Sequence, residues 1–179
     1  MSFCAEADTE TVNGIQWTYS VKDGEAILGG EDYARAILGS TSGAITIPST
    51  LGGYPVTIIG ICAFRDCSSL TRVTIPNSVT SIGGSAFRGC ESLADSDGFI
   101  IIRGVLYGYC GEGKEVLIPN SVTSIGDGAF SGCSSLTSVT IPESVTSIGE
   151  GAFCDCRSLT SVTMPESVTS FGDWAFSIC

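Results

Sequence analysis

One string recurs along this chain. Ser-Val-Thr-Ser-Ile-Gly begins at Ser78, Ser121 and Ser144, and Ser167 begins it again with Phe171 in place of the Ile. The fuller unit, clearest from Leu136 to Cys156, reads Leu-x-x-Val-x-Ile-Pro-x-x-Val-x-x-Ile-Gly-x-x-Ala-Phe-x-x-Cys. Its Ala-Phe-x-x-Cys ending occurs at Phe64/Cys67, Phe87/Cys90, Phe130/Cys133, Phe153/Cys156 and Phe176/Cys179. The cysteines step by 23, 43, 23 and 23 residues, so one interval carries 20 additional residues. A period of this length is the mark of a solenoid, because one coil cannot bury its apolar face alone and must stack on the next.

Each position in the unit has a physical reason. Ser138-Val139-Thr140-Ile141 alternates polar and apolar residues, the pattern of a half-buried strand with Val139 and Ile141 inward. Pro142 has no N–H to donate and ends it. Val145 and Ile148 supply a second inward pair. Gly149, with Gly60, Gly83, Gly126 and Gly172 at the same place, is expected to permit a sharp bend. Ala152 and Phe153 fill the interior on the return. In-register strands stack at about 4.8 Å, so five coils give a sheet roughly 25 Å long.

The 20 additional residues lie between Leu93 and Val116. They hold Phe99-Ile100-Ile101-Ile102, then Arg103-Gly104, then Val105-Leu106-Tyr107, which predicts a β-hairpin. The N-terminal part echoes it with Trp17-Thr18-Tyr19-Ser20-Val21, Asp23-Gly24 and Ala26-Ile27-Leu28. Both are followed by a strand ending in Ile-Pro, at Ile47-Pro48 and Ile118-Pro119, which suggests a duplicated block. The first hairpin, residues 17–29, is expected to cap the open end of the solenoid. The second, residues 94–115, is expected to protrude as an insert between coils 44–93 and 116–179, because Val116-Leu117-Ile118-Pro119 resumes the repeat in phase. A linker between two domains is the alternative. Residues 1–16 are expected to be a leader remnant, since Ala5-Glu6-Ala7 has the form of a cleavage site, or a disordered terminus.

At this level of detail the pattern resembles the BspA-like (Treponema-type) leucine-rich repeat family. The resemblance rests on the five copies of Gly-x-x-Ala-Phe-x-x-Cys and covers residues 44–179. It departs from the common leucine-rich repeat, which carries an Asn before its last Leu where this chain has Pro and Val. The resemblance implies a mainly β, right-handed leucine-rich-repeat solenoid of ~23-residue coils, with short parallel strands and an N-terminal capping β-hairpin. It also implies a secreted or cell-surface bacterial protein that binds or adheres to proteins, among them host matrix or cell-surface proteins. A glycan-binding module, or a purely structural segment of a larger surface protein, is the alternative.

Composition narrows the chemistry. With 8 basic against 19 acidic residues the net charge is −11, which repels a phosphate backbone, so nucleic acid is not an expected partner. No run of 18 apolar residues exists, so no membrane insertion through a helix is expected. The chain has no histidine, which removes Ser-His and Cys-His nucleophile pairs and most zinc sites. An enzyme working through a carboxylate pair, such as a glycan hydrolase, would need two carboxyl groups across a cleft. The acidic residues instead follow the repeat, with Asp127, Glu150 and Asp173 on one edge and Glu143 and Glu166 on another. They are expected to be solvated loop charge; calcium binding is the alternative. No catalytic residue, metal site or cofactor is expected.

Two further features have bland readings. Gly108-Tyr109-Cys110-Gly111-Glu112-Gly113-Lys114 matches the front of a phosphate-binding loop. Glu115 follows where Ser or Thr would reach magnesium, and a strand is expected where a helix should begin. The nine cysteines admit disulfides on count alone. Those at 67, 90, 133, 156 and 179 share one repeat position, and stacked parallel side chains fit a bridge poorly, so a column of thiols packed as small hydrophobes is expected.

The outward residues of the strands are the candidate ligand-binding face: Thr71, Arg72 and Thr74, then Thr137, Ser138 and Thr140, then Thr160, Ser161 and Thr163. A regular, uncharged, hydrogen-bonding sheet suits a protein or a glycan, while β propensity alone would also select Ser and Thr there. The last coil carries Phe171 for Ile and Trp174 where other coils have Ser85, Gly128 and Gly151. These aromatics are expected to cover part of the open core edge, with end-to-end self-association through that coil, or a longer natural chain, as the consequence.

Overall fold

The computed structural model describes residues 7–29 and 34–179. The chain divides after Leu93 into two compact units. Among the described residues the regular structure is β apart from one 3-10 turn at Glu91–Leu93, and no helix is long and apolar enough to cross a membrane.

The first unit opens with an antiparallel meander of β1 (Asp8–Val12), β2 (Ile15–Lys22) and β3 (Glu25–Leu28). Its two turns are Asn13-Gly14 and Asp23-Gly24, all four residues with φ between 52° and 80°. Two successive left-handed residues are what a two-residue hairpin turn requires. Next come β4 (Gly43–Thr46), β5 (Thr50–Leu51), β6 (Tyr54–Ile59), β7 (Leu70–Thr74) and β8 (Ser81–Ile82). β6 lies parallel to β3 and β8 parallel to β6, while β4 and β7 form a separate parallel pair. Residues 8–12, expected in a leader remnant or disordered terminus, are thus a strand with five cross-strand partners from Tyr19 to Ile15. Ala5 and Glu6 of the cleavage-site triplet lie outside the described residues.

The second unit repeats this plan. β9 (Phe99–Ile102) and β10 (Val105–Tyr109) form a hairpin over Arg103-Gly104, with φ of 51° and 79°. The remaining strands are β11 (Glu115–Leu117), β12 (Ser124–Ile125), β13 (Ser138–Thr140), β14 (Ser147–Ile148), β15 (Ser161–Thr163) and β16 (Ser170–Phe171). They sort into two parallel ladders, β10-β12-β14-β16 and β11-β13-β15. Between coils the register is fixed by the repeat, as Ser124 faces Ser147 and Ser147 faces Ser170. The hairpin 94–115 therefore does not protrude. β10 pairs with β12 as β3 pairs with β6, and Phe99, Ile100, Leu106 and Tyr107 are buried. Four apolar residues on two short strands have no stable place in water, so the hairpin becomes the first rung of its own stack. The duplicated block read from the sequence is the architecture.

Inside each unit the core is a file of aromatic rings. Phe64 stacks on Phe87 at 5.1 Å, Phe130 on Phe153 at 4.8 Å and Phe153 on Phe176 at 5.0 Å, with planes within 8° of parallel. Strand spacing sets that distance. Tyr109 continues the file above Phe130 at 5.3 Å, and Phe99 lies above Tyr109 at 5.2 Å. Each fully buried ring contributes about 2–3 kcal/mol of transfer free energy.

The glycine at the bend has a different reason from the one expected. Gly149 does not have positive φ. A Cβ there would lie 2.6 Å from the Asp127 nitrogen and 2.7 Å from the Gly126 carbonyl carbon, so its missing side chain is what lets one coil settle on the last. Left-handed backbone falls instead two residues later, at Cys62, Ser85, Gly128, Gly151 and Trp174, and again at Asp66, Gly89, Gly132, Asp155 and Ile178. The last coil thus puts Trp174 and Ile178 where most side chains are strained. Trp174 is 73% exposed and so covers little of the core edge, against expectation, while Phe171, 53% exposed, lies in register over the buried Ile148.

Candidate functional site

The sheet β11-β13-β15 carries four of the nine candidate residues, Ser138, Thr140, Ser161 and Thr163, and Thr137 and Thr160 immediately precede its strands β13 and β15. Its central row, Val116, Val139 and Val162, points into the core and anchors the sheet. Alternation then turns the flanking rows outward. One is Glu115, Ser138 and Ser161, and the other is Leu117, Thr140 and Thr163. Thr71, Arg72 and Thr74 lie in the first unit on β7, where Arg72 faces Ala44 and Thr74 faces Thr46. Pairing there jumps from Leu70 to Arg72, leaving Thr71 as a bulged residue.

Hydroxyl groups divide into two populations. Thr137 Oγ1 donates to the Lys114 carbonyl at 2.8 Å, and Thr160 Oγ1 to the Thr137 carbonyl at 3.2 Å. These two tie one coil to the one before it. The same work explains the most visible repeat string. In it, Ser144 and Ser167 donate to the Val122 and Val145 carbonyls, Thr146 donates to the Thr123 carbonyl, and Ser124 and Ser147 bond to each other at 2.7 Å. Ser138, Thr140, Ser161 and Thr163 are the candidate hydroxyls left facing outward along the sheet, with charge at one end from Glu115.

Leu117 belongs to this face and was not among the residues read from the sequence. It is 70% exposed, beside Thr140. A signal was present, because the column 117, 140, 163 reads Leu, Thr, Thr and the one apolar member breaks the repeat. An exposed leucine flanked by hydroxyls gives the sheet an apolar contact point beside its hydrogen-bonding groups.

The thiols and carboxylates take structural places. Cys90 donates to the Phe64 carbonyl at 3.0 Å, Cys156 to that of Phe130 and Cys179 to that of Phe153, both at 3.1 Å. Each bond spans 26 residues and ties the column to the aromatic file one coil earlier. The column is buried at Cys67, Cys90 and Cys156, half-buried at Cys133 and exposed at Cys179. Burial, with Cys133 and Cys179 alongside, pushes the Cys156 thiol up to about 12, and burial with Cys110 nearby pushes Cys133 up to about 11. Such thiols are protonated at neutral pH and poor nucleophiles. In the acidic ladder, the Asp127 carboxylate accepts the Glu150 amide at 2.8 Å. Among the described residues no three His, Cys, Asp or Glu side chains are grouped to hold a metal ion. The glycine-rich run from Gly108 to Lys114 leads from β10 into β11, a strand, as expected.

The sequence model described as the BspA type leucine rich repeat region matches residues 41–97 and 100–179, in six copies. Among solved structures, the chain is similar to a leucine rich repeat protein of T. pallidum. They are 31% identical over 95% of this chain and 89% of that one, with a TM-score of 0.52. It is also similar to a leucine rich cell surface protein of Faecalibacterium prausnitzii, at 31% identity and a TM-score of 0.46. That match covers 96% of this chain and 52% of the other, so this chain spans about half its length. No curated protein matches the chain.

Proposed function

This chain belongs to the BspA-type leucine-rich repeat family, and from that membership we propose that it is a non-enzymatic binding module displayed at the bacterial cell surface, adhering to another protein through the sheet β11-β13-β15. The observation that carries the reading is the makeup of that sheet. Ser138, Thr140, Ser161 and Thr163 stand in register beside the inward valine row, buried at Val116 and Val139 and half-buried at Val162, and Leu117 is exposed beside them. The backbone is held by the stack, so ordering this surface costs little when a partner docks. Hydroxyl rows offer donors and acceptors without net charge, and Leu117 adds exposed apolar area whose burial favours docking. A protein partner is favoured over a glycan because small-ligand sites are concave and lined by apolar and aromatic side chains, and the two outward rows hold no aromatic residue.

The test is a binding screen of the whole chain on immobilised extracellular-matrix proteins and on a glycan array, repeated with Thr140→Lys/Thr163→Lys and with Leu117→Ser. Retention by a matrix protein, reduced tenfold or more by the double variant, supports the reading. Retention that both variants leave unchanged, or binding confined to the glycan array, rejects it.

A further inference from the structure

In the first unit the return leg of the coil carries positive charge that the second unit lacks. The residues between core Phe and column Cys are Arg65-Asp66 and Arg88-Gly89, against Ser131-Gly132, Cys154-Asp155 and Ser177-Ile178. Asp66 is left-handed, with φ of 59°, and its carboxylate lies against Gly89, where a Cβ would come within 2.5 Å of Oδ1. Its other oxygen, Oδ2, accepts a hydrogen bond from Arg35 Nη2 at 3.0 Å and lies 3.6 Å from Arg65 Nε. Arg35 reaches this point because the Ala36 amide donates to the Ala63 carbonyl at 2.7 Å, which places the 34–37 segment one rung before Phe64. Together Arg35, Cys62, Arg65 and Asp66 line a cavity of about 200 Å³.

We propose that this cleft binds the carboxylate of a small organic acid, of the size of a single sugar acid, between the guanidinium groups of Arg35 and Arg65. Two guanidinium groups and one carboxylate leave a single positive charge, which a monoanion balances. A sulfate or phosphate dianion would overshoot and face the Asp66 carboxylate. Guanidinium presents its N–H donors in a planar fork that matches a carboxylate. Among the described residues one hydrogen bond, from Arg35 to Asp66, is drawn from the pair, and Arg65 contributes only the longer ion-pair contact. Asp66 holds Arg35 in place, and the half-exposed Arg65 side chain, 49% accessible, is positioned to close on a ligand. The Cys62 thiol, buried at 8% exposure, forms the uncharged part of the lining. Acidic side chains farther from the cleft than the screening length, about 8 Å at physiological salt, act weakly here.

The test is titration calorimetry of the full chain with sodium glucuronate at constant ionic strength, with glucose and sodium sulfate as separate arms. Saturable glucuronate binding without a glucose response is expected. Arg65→Ala is expected to weaken it about tenfold, equivalent to roughly 1.4 kcal/mol, while leaving the thermal midpoint of the unliganded chain unchanged. Arg65→Gln is the second variant should the alanine variant fold poorly. Asp66→Asn, which removes the competing charge, is expected to tighten glucuronate severalfold. The proposal is overturned by no saturable binding up to about 50 mM, fifty times a Kd of about 1 mM. Equal binding of glucose, sulfate bound more tightly than glucuronate, or an affinity that Arg65→Ala leaves unchanged would overturn it equally.

Discussion

Replacing Gly149 with Ala tests the reason coils of this chain lie at strand spacing. The added Cβ would sit 2.6 Å from the Asp127 nitrogen and 2.7 Å from the Gly126 carbonyl carbon, both backbone atoms of the preceding coil. Backbone cannot rotate away as a side chain can, so the coils must part locally. Overpacking of this kind costs about 1–3 kcal/mol, and the upper end applies where backbone meets backbone. Alanine also lowers the entropy of the unfolded chain, which returns about 0.4–1 kcal/mol. The net expectation is a loss of about 2 kcal/mol, or roughly 4–8 °C in thermal midpoint for a chain of this size. Two companions calibrate it. Gly126→Ala places its Cβ 3.0 Å from the Leu106 carbonyl oxygen and should cost less. Gly132→Ala meets nothing within 4 Å but has φ of +81°, so it should cost only the left-handed strain, about 1 kcal/mol. Urea unfolding followed by circular dichroism reads all three. A Gly149→Ala variant within about 0.5 kcal/mol of the parent chain, the ordinary range for a surface change, would refute the close-approach argument. So would a greater loss at Gly132 than at Gly149.

Leu106→Ala should destabilise the second unit by about 3 kcal/mol, because the side chain is fully buried in the hairpin; thermal unfolding checks this, and an unchanged midpoint would return the hairpin to the status of an appendage. The thiol column makes stability fall at high pH. Cys133 and Cys156 titrate at about 11 and about 12 in the fold against 9.0 ordinarily, so their contribution is complete below pH 9 and is lost as pH rises through the folded values. Urea midpoints measured from pH 7 to pH 11 should stay level and then drop, and a rise above pH 9 would contradict the burial of the column. Trp174→Gly should leave the unfolding midpoint nearly unchanged, since release of left-handed strain worth about 1 kcal/mol is offset by the unfolded-chain entropy of glycine, about 0.4–1 kcal/mol, and the side chain given up is 73% exposed; a midpoint lower by several degrees would mean that Trp174 does act as a cap.

What was legible in the sequence follows from what repetition reveals. Val139, Ile141, Ala152, Phe153 and Cys156 recur at fixed spacing because each coil solves the same packing problem, and all five are buried. Both hairpins were legible from Gly-containing turns between apolar runs. The role of the second was not, because chain order places Phe99 to Tyr107 between coils, and only the pairing of Leu106 with Ile125 shows it to be a first rung. The strand Asp8–Val12 escaped notice because its residues are almost all exposed, so no apolar alternation marks it. Gly149 was identified as necessary for the wrong reason, since a repeated glycine does not say whether φ or a close neighbour demands it. On the candidate face, outward and inward rows were legible by alternation. The hydroxyl bonds of Thr137 and Thr160 to the preceding coil were not, because they depend on stacking between residues 23 apart.

The central claim, that the sheet β11-β13-β15 is the docking surface, is tested most directly by amide hydrogen exchange of the whole chain with and without the matrix protein retained in the screen. Slowed exchange is expected only at Glu115–Leu117, Ser138–Thr140 and Ser161–Thr163, with the acidic edge at Asp127, Glu150 and Asp173 unaffected. Slowed exchange on that acidic edge, with the three strands unchanged, would contradict it.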